Sequence, residues 1–321
     1  MMKRMHTHQR GVAVITALLL TTLAITIVAS LFWQQQVQVR SIENQRLQLQ
    51  KQWILRGALD WARLILGEDK RIDDRLRGAG KGLDHLGEPW AVPLAETRLD
   101  QYVEKERAGD VPDAALSGGI TDAQARFNLK GLSENGAINE KEVTRFSKLL
   151  TLLQINPALA RATAVLMQSA QKPPTAGSAA ATSGATSQPM DIRHVDDLLA
   201  VQGFTPEMLE KLKDFVIVLP VMTKINVNTA PAEVIAAKVD TLSLPEATTL
   251  VAARQSRPFD DVLTLPIPAS VREAAKEVLE TNTAYFLING NVRLNRAGME
   301  MQALIKRDSA TKQTVLWIRE Y

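Results

Sequence analysis

The sequence predicts an α+β protein in which a long N-terminal helix packs on an antiparallel sheet and a large all-α domain is inserted into that sheet. The helix is predicted because no proline occurs before Pro89 and, after Gly11, no glycine occurs before Gly57. The sheet is predicted because strand-like segments occur near residues 90–129 and again after residue 283. The region between them is mostly helical in composition, which predicts the insertion.

The helix begins with an apolar segment, Val12–Trp33, that carries no charged residue. As a helix this segment is about 33 Å long, against about 30 Å for the hydrocarbon core of a bilayer. Lys3, Arg4 and Arg10 precede it, so we expect this flank to stay in the cytoplasm and the rest of the chain to be exported. The segment suits a plain anchor, a secretory signal peptide cut after Ser30, or a helix that is kept after a short leader is removed.

The residues Gln9-Arg10-Gly11-Val12 resemble the leader of type IV prepilins. The resemblance implies that a prepilin peptidase cuts between Gly11 and Val12 and methylates the new amine of Val12. A glycine before the cut lets the extended backbone approach a protease cleft closely. Most pilins have glutamate at the fifth mature position, where this chain has Thr16. A buried carboxylate is costly unless it is paired, so its loss suits a subunit that recruits no subunit above it.

The helix is predicted to continue beyond the apolar segment to about Leu66, with Gly67 as its stop. Its second half is amphipathic, and Trp53 and Trp61 share one face. Such a stripe is either a binding surface or part of a core. The core is the more frequent role, so we expect the two tryptophans to pack on the sheet. A membrane helix that continues into a globular domain is typical of pilin-like proteins.

Strand segments are expected after this helix, at Trp90–Val92 and at Thr97–Val103. Asp122 could bind a metal or cap a turn, and the absence of clustered carboxylates favours the cap. The segment Arg126–Leu129, here called the RFNL segment, resembles a stretch of the K-type minor pseudopilins of type II secretion systems. In that family a similar stretch closes the sheet before a helical insertion.

Residues 140–171 are helical by composition, with Asn139 as a plausible N-cap and Pro157 as a break between two helices. Residues 172–189 are low in sequence complexity and have little bulk to bury. We therefore expect residues 172–189 to form a mobile loop.

Two segments, 195–215 and 225–263, are each predicted to form a helix, a short turn and a helix. The second contains Asn226–Pro231, the NVNTAP segment, and resembles the helix-hairpin-helix of DNA-binding proteins. Such a hairpin binds phosphate through backbone N–H groups at a glycine-rich turn, but here Leu244-Pro245 occupies the turn and proline has no N–H. The first copy keeps only Gly203, and no basic cluster adjoins either turn. We expect a structural role, no nucleic-acid partner, and caps at three residues: Asn226, Asn228 and Thr229.

The alternating pattern after residue 283 predicts an antiparallel meander that completes the sheet. Its strands are expected at 283–295, 299–306 and 314–319. Asn289-Gly290 is a strong signal for a hairpin turn.

The chain is not predicted to be an enzyme. It has 321 residues, a net charge of +3 and no cysteine, which excludes disulfides, thiolate metal sites and cysteine nucleophiles. The histidines are isolated, and no catalytic or nucleotide-binding fingerprint occurs. The acidic pairs at 73–74, 196–197 and 260–261 are flanked by helix-start signals and are expected to cap helices.

The order of these features resembles the K-type minor pseudopilins, which implies a subunit of the bacterial inner membrane with a single span and a periplasmic C-terminal domain. The resemblance implies that the subunit caps the tip of the pseudopilus and helps initiate its assembly, for export of folded proteins across the outer membrane. It implies the minor pseudopilins I and J as partners, with H as a further candidate, and the prepilin peptidase. It also implies calcium, although no EF-hand spacing occurs. The alternatives are a membrane-anchored helix-hairpin-helix DNA-binding protein and a minor pilin of a type IV pilus.

The sequence therefore divides into five expected segments. They are a leader (1–11), a transmembrane half of the long helix (12–33), a first pilin-like part (34–130), an inserted helical domain (131–282) and the final strands (283–321).

Overall fold

The computed structural model describes residues 10–78, 82–99, 114–171, 189–295 and 297–321, with side chains from Ala13 onward. The chain forms two compact units, Met1–Arg56 and Gly57–Tyr321. A long N-terminal helix, an antiparallel sheet and a helical region are all present, so the predicted fold class is confirmed.

The described part of the chain contains seven α-helices and eleven strands. The helices are α1 (Arg10–Arg77), α2 (Glu140–Leu152), α3 (Ala158–Ala170), α4 (Pro206–Leu212), α5 (Ala232–Lys238), α6 (Leu244–Ser256) and α7 (Ala269–Val278). The strands are β1 (Leu94–Arg98), β2 (Ala114–Asp122), β3 (Phe127–Asn128), β4 (Ser133–Glu134), β5 (Ala137–Ile138), β6 (Val216–Ile217), β7 (Ile225–Asn226), β8 (Leu279–Glu280), β9 (Tyr285–Leu294), β10 (Ala297–Ser309) and β11 (Lys312–Glu320).

Helix α1 contributes its last turns to the second unit through a narrow apolar face. Leu59, Ala62 and Leu66, which are three and four residues apart, are each 5% exposed or less. Trp61 points away from this face, because two helical residues turn a side chain by about 200°. It is 50% exposed and Trp53 is 68% exposed, so the predicted core role of the two tryptophans is wrong.

The helix does not stop at Gly67, and this prediction is also wrong, since α1 continues to Arg77. A Cβ atom at Gly67 would lie 2.7 Å from the carbonyl oxygen of Ala310 and 2.9 Å from Nε2 of Gln313. The glycine is therefore required by the close approach of the β10–β11 turn rather than by a helix end.

The main sheet has the strand order β1-β2-β9-β10-β11, and every neighbouring pair is antiparallel. Strands β2 and β9 pair from Ala114 with Leu294 to Asp122 with Phe286. The chain between these adjacent strands, 123–284, contains all the α-helices after α1 among the described residues and is therefore an insertion. The expected boundaries at 131 and 282 stay a prediction.

Strand β9 runs straight through Asn289-Gly290, so the predicted hairpin turn there is wrong. Gly290 pairs with Gly118 of β2 on one side and with Met301 of β10 on the other. Because β9 is hydrogen-bonded along both edges, the chain cannot reverse at this point. The reversal follows Leu294, where Asn295 has a φ of 54°.

The inserted region has its own apolar core. Helices α2 and α3 confirm the predicted pair of helices on either side of Pro157. The predicted cap is also confirmed, because Oδ1 of Asn139 accepts a hydrogen bond from the N–H of Glu142 at 3.4 Å. Phe127 and Phe146 are fully buried there, with ring centroids 5.4 Å apart.

Two predicted elements differ from the structure. Trp90 lies in a 3-10 helix, Pro89–Ala91, instead of a strand, and its ring packs edge-on against Phe286 at 5.2 Å. The strand expected at 97–103 is seen only as β1. Residues 100–113, the loop residues 172–188 and leader residues 1–9 lie outside the described part of the chain.

Candidate functional site

The predicted processing site lies at the start of α1, which includes the backbone of Gly11 and Val12. Thr16 stands where most pilins have glutamate, and its hydroxyl donates a hydrogen bond to the carbonyl of Ala13 at 3.0 Å. The other threonines of the apolar segment also donate to carbonyls three or four residues earlier. These hydroxyl groups are satisfied within the helix, which suits an apolar environment.

By length and composition, α1 is the single candidate for a membrane span among the described residues. Its most apolar 18-residue window has a mean hydropathy of 2.4 and is not buried within the structure. A helix of this kind near an N-terminus is also compatible with a signal sequence.

An apolar groove lies beside the last turns of α1 and has a volume of about 330 Å³. Trp61 of the helix and Leu116 of β2 line it, together with Trp90 and Val92. Val92 is 67% exposed and Leu64, one turn along α1, is 68% exposed. The groove and these exposed side chains form one apolar surface of the second unit.

Arg307 of β10 ties the sheet to α1 through buried ion pairs. Its guanidinium donates hydrogen bonds to Oδ2 of Asp69 at 2.6 Å and to Oδ1 of Asp84 at 2.5 Å. A third goes to the carbonyl of Thr283 at 3.0 Å. The side chain is 2% exposed and lies over the ring of Phe286. Burial opposes its charge, but the two carboxylates outweigh burial and raise the pKa of Arg307.

Glu88 joins Asp69 and Asp84, so that atoms of three carboxylates lie within 4.8 Å of one another. Burial raises the pKa of Asp69 to about 6 and that of Glu88 to about 8. Glu88 is therefore mostly protonated at neutral pH. Its Oε2 accepts hydrogen bonds from Nε1 of Trp90 at 2.6 Å and from the N–H of His85 at 3.0 Å.

These three carboxylates do not fit the calcium that the family resemblance implies. Calcium requires six to eight oxygen ligands, and a protonated Glu88 is a poor one. The guanidinium of Arg307 already supplies the positive charge and would lie beside a divalent ion. The cluster is therefore a closed ion-pair network.

Asp122 ends β2 and accepts hydrogen bonds from three groups. Oδ1 accepts from the N–H of Gln124 at 2.7 Å, which confirms the predicted cap. Oδ2 accepts from Nδ2 of Asn226 at 2.9 Å and from the hydroxyl of Thr229 at 2.6 Å. Burial raises the pKa of Asp122 to about 6. Thr229 thus anchors its loop and does not cap α5, which begins at Ala232, so its predicted cap is wrong.

The NVNTAP segment is held from both sides. Nδ2 of Asn226 also donates to the carbonyl of Asp84 at 2.9 Å. Asn228 and Phe259 exchange two hydrogen bonds, at 3.0 and 2.8 Å. The guanidinium of Arg254 donates to three backbone carbonyls of the segment, and burial lowers the pKa of Arg254 to about 10. The residues that resemble a helix-hairpin-helix therefore bind one another.

The turn before α6 disfavours phosphate. Ser243 caps the helix, and the carboxylate of Glu246 accepts hydrogen bonds from the N–H and hydroxyl of Ser243, at 2.8 and 2.6 Å. A phosphate would have to displace a carboxylate of the same sign at this helix end. The geometry gives no support to the DNA-binding alternative.

The acidic pairs include both caps and ion pairs. Asp197 accepts from the N–H groups of Arg193 and His194, and Asp261 accepts from that of Leu263, as predicted for caps. Their neighbours form ion pairs instead: Asp196 with Arg319 and Asp260 with Arg77.

Sequence reasoning missed one buried network in the inserted region. Lys238 is 1% exposed, hydrogen-bonds to Glu142 and lies 4.6 Å from the ring centroid of Phe127. Arg145 donates to Glu142 at 2.7 Å and forms two hydrogen bonds with Asp240, both 3.1 Å. Each charge has a partner, so this cluster stabilises the fold and offers no open site.

The fold defines a class. A long N-terminal helix with an apolar first half, followed by an antiparallel sheet that packs on its later turns, is typical of a pilin-like subunit. The chain is similar in structure, with a TM-score of 0.63 and 21% identity, to a crystal structure of the GspK–GspI–GspJ complex from the type 2 secretion system of enterotoxigenic Escherichia coli. That match covers 88% of this chain and 99% of the other.

Two family models described as type II secretion system protein K match residues 125–221 and 225–282. The chain is also 27% identical over 321 residues to type II secretion system protein K of Pseudomonas aeruginosa, which covers 96% of this chain and 92% of that protein. These matches make the chain similar to type II secretion system protein K over nearly its whole length, and they support a minor pseudopilin of a type II secretion system. This family is one of structural pseudopilins and is not an enzyme family.

Proposed function

We propose that this protein is a minor pseudopilin of a type II secretion system that caps the tip of the pseudopilus and helps initiate its assembly, for export of folded proteins across the outer membrane. The observation that carries the proposal is the insertion between β2 and β9, which adds residues 123–284 to a five-stranded sheet. That added bulk suits a position with no subunit stacked above it.

The apolar segment supports the same position. Thr16 cannot supply the carboxylate that pilins use to pair with the amine of a neighbouring subunit. Its hydroxyl is instead bonded to the carbonyl of Ala13. A subunit at the end of a filament needs no such pairing on its free side.

The proposal includes a prepilin leader that ends at Gly11, methylation of Val12, a single span of the inner membrane and a C-terminal domain in the periplasm. The basic flank of the apolar segment and its freedom from charge support this placement. The chain is proposed to act as a structural subunit without catalysis.

The proposed partners are the minor pseudopilins I and J, with H as a further candidate, and the prepilin peptidase. The relative whose structure was solved in a complex with GspI and GspJ supports the first two. The apolar surface at Trp61 and Leu64 is the proposed contact, because an exposed apolar helix face suits packing against another helix.

The mass of the N-terminal peptide after co-expression with a prepilin peptidase tests the pilin class. We expect a methylated peptide that starts at Val12. An intact start at Met1 or Met2 would indicate a plain anchor, and a start at Leu31 would indicate a secreted protein. Either of these results would remove the filament role.

Co-purification of the full chain in detergent with I and J tests the contact surface. We expect Trp61→Glu to weaken complex formation about tenfold or more, because it places a charge in an apolar interface. Leu86→Glu is the matched control, since Leu86 is 57% exposed but lies outside the groove. Equal loss in both variants would contradict the assigned surface.

A further inference from the structure

A second cavity, the Arg126 pocket, lies between the inserted region and the last strands and has a volume of about 550 Å³. Arg126 lines it on one side, and Trp317 and Tyr321 line it on the other. Its volume is within the range of about 300–1,000 Å³ that is typical of ligand sites.

Arg126 is the residue of the RFNL segment whose side chain has no partner in the described part of the fold. Phe127 and Leu129 are fully buried in the core of the insertion. Asn128 caps the next turn and donates to the carbonyl of Val221 at 2.7 Å. The guanidinium of Arg126, by contrast, forms no hydrogen bond or ion pair with any residue that the structure describes.

This isolation is unfavourable for the free protein. Burial lowers the pKa of Arg126, against the opposing influence of Asp214 and Asp122. The side chain is only partly buried, so water still reaches the guanidinium, but its five N–H donors have no protein acceptor among the described residues. The free state therefore carries a cation that an incoming acceptor would stabilise.

The neighbouring charges narrow the choice of acceptor. Arg319 is matched by Asp196 at 3.0 Å, and Lys213 is matched by Glu210. Other acidic lining side chains, Asp214 and Glu300, are exposed. Arg193 also lines the pocket and is exposed, while these acids disfavour a doubly charged phosphate. A carboxylate matches the guanidinium of Arg126 in charge and in its forked geometry.

The walls point to a carboxylate carried by a protein segment rather than a free ion. Leu287, Val216 and the ring of Trp317 supply apolar surface, and His194 packs edge-on against Trp317 at 5.2 Å. We propose that the Arg126 pocket binds an aspartate or glutamate side chain of a partner protein, flanked there by apolar residues. The site does not depend on the position of the subunit in a filament.

Calorimetric titration of the full chain in detergent with two capped peptides, acetyl-Val-Glu-Val-amide and acetyl-Val-Gln-Val-amide, tests the proposal. We expect the glutamate peptide to bind about tenfold or more tightly than the glutamine peptide, as a charge-assisted pair requires. Arg126→Gln should remove this difference, and Arg126→Lys should restore part of it because the charge returns without the fork.

Arg161→Gln is the matched control, since Arg161 pairs with Glu140 on the surface of the insertion and should leave both affinities unchanged. Thermal unfolding of each variant shows whether it is folded. The proposal is overturned if the glutamate peptide does not bind, if both peptides bind equally, or if Arg126→Gln keeps the difference. Displacement of the glutamate peptide by equimolar inorganic phosphate would overturn the assignment to carboxylates.

Discussion

Two arginines near the sheet have opposite surroundings. Arg307 is 2% exposed and gives its donors to two carboxylates and a carbonyl. Arg126 is partly buried and has no such partner among the described residues. A charged side chain whose donors are all bonded within the protein stabilises the fold but has no donor left to bind a ligand. A charged side chain without such partners lowers the stability of the fold, and a binding partner can supply the missing acceptors. The contrast distinguishes charged side chains that stabilise the fold from charged side chains that are free to bind a partner.

The largest effect is expected from Arg307→Met, which leaves Asp69 and Asp84 buried without their cation. Loss of one partner of a buried ion pair costs about 3–5 kcal/mol. We expect a loss of this size in the free energy of unfolding, measured by urea denaturation of the full chain in detergent. Arg161→Met, at an exposed pair, is the control and should cost about 1 kcal/mol or less. Similar losses of unfolding free energy in the two variants would show that the buried pairs of Arg307 stabilise the fold no more than the exposed pair of Arg161.

A smaller loss of unfolding free energy is expected from Asn226→Ala. This variant tests whether Asp122 is linked to Asp84 through the side chain of Asn226. The change removes hydrogen bonds to the carbonyl of Asp84 and to the carboxylate of Asp122. Leaving such buried groups unsatisfied costs about 1–3 kcal/mol, so we expect a loss of about 2 kcal/mol in the same assay. Asn291→Ala, at an exposed strand position, should stay within about 0.5 kcal/mol of the wild type. A neutral Asn226→Ala would show that this link is not part of the closed network.

Local signals predicted the elements whose causes are local. Asn139 caps α2 and Pro157 separates two helices because both effects act within a few residues. Asn289-Gly290 failed as a turn because strands on both sides hold β9 straight, and Gly67 failed as a stop because a distant hairpin packs on it. Such causes lie outside any sequence window.

The polar sites show the same limit. Asp122 was recognised as a cap, but its bonds to Asn226 and Thr229 join residues about a hundred positions apart. No local pattern predicts the role of Arg307, because its partners Asp69 and Asp84 are separated from it by more than two hundred positions. The RFNL segment was recognised as a unit, yet only the structure separates Arg126 from its buried neighbours.

The closed cluster also predicts a pH dependence. The pKa of Glu88 in the folded protein, about 8, is above its usual 4.5, so the folded state holds this proton more tightly than the unfolded state. Its contribution to stability is therefore fully present below about pH 4.5 and is lost as the pH rises through about 8. The unfolding free energy should therefore decrease less steeply with pH in Glu88→Gln than in the wild type between about pH 4.5 and 8. The difference in slope should be at most about 1.4 kcal/mol per pH unit.

Urea denaturation of Glu88→Gln at about pH 5, 6.5 and 8 checks the slope. Asp69 and Asp122, whose pKa values are raised to about 6, still contribute to the pH dependence of stability in the variant, chiefly between about pH 5 and 6.5. A slope identical to that of the wild type between about pH 6.5 and 8 would show that Glu88 does not titrate there.

The smallest effect on stability is expected from Arg319→Met, at the rim of the Arg126 pocket. Arg319 is 31% exposed and pairs with Asp196, which is 49% exposed, so the pair should contribute about 1 kcal/mol or less and lose that contribution in high salt. The same change leaves Asp196 unpaired on the pocket wall and should weaken binding of the glutamate peptide by repulsion, with little effect on the glutamine peptide. Urea denaturation and the calorimetric titration measure the two effects separately. A loss of stability as large as that of Arg307→Met, with unchanged peptide binding, would mean that this rim is a closed structural contact and that Arg126 alone cannot define an open site.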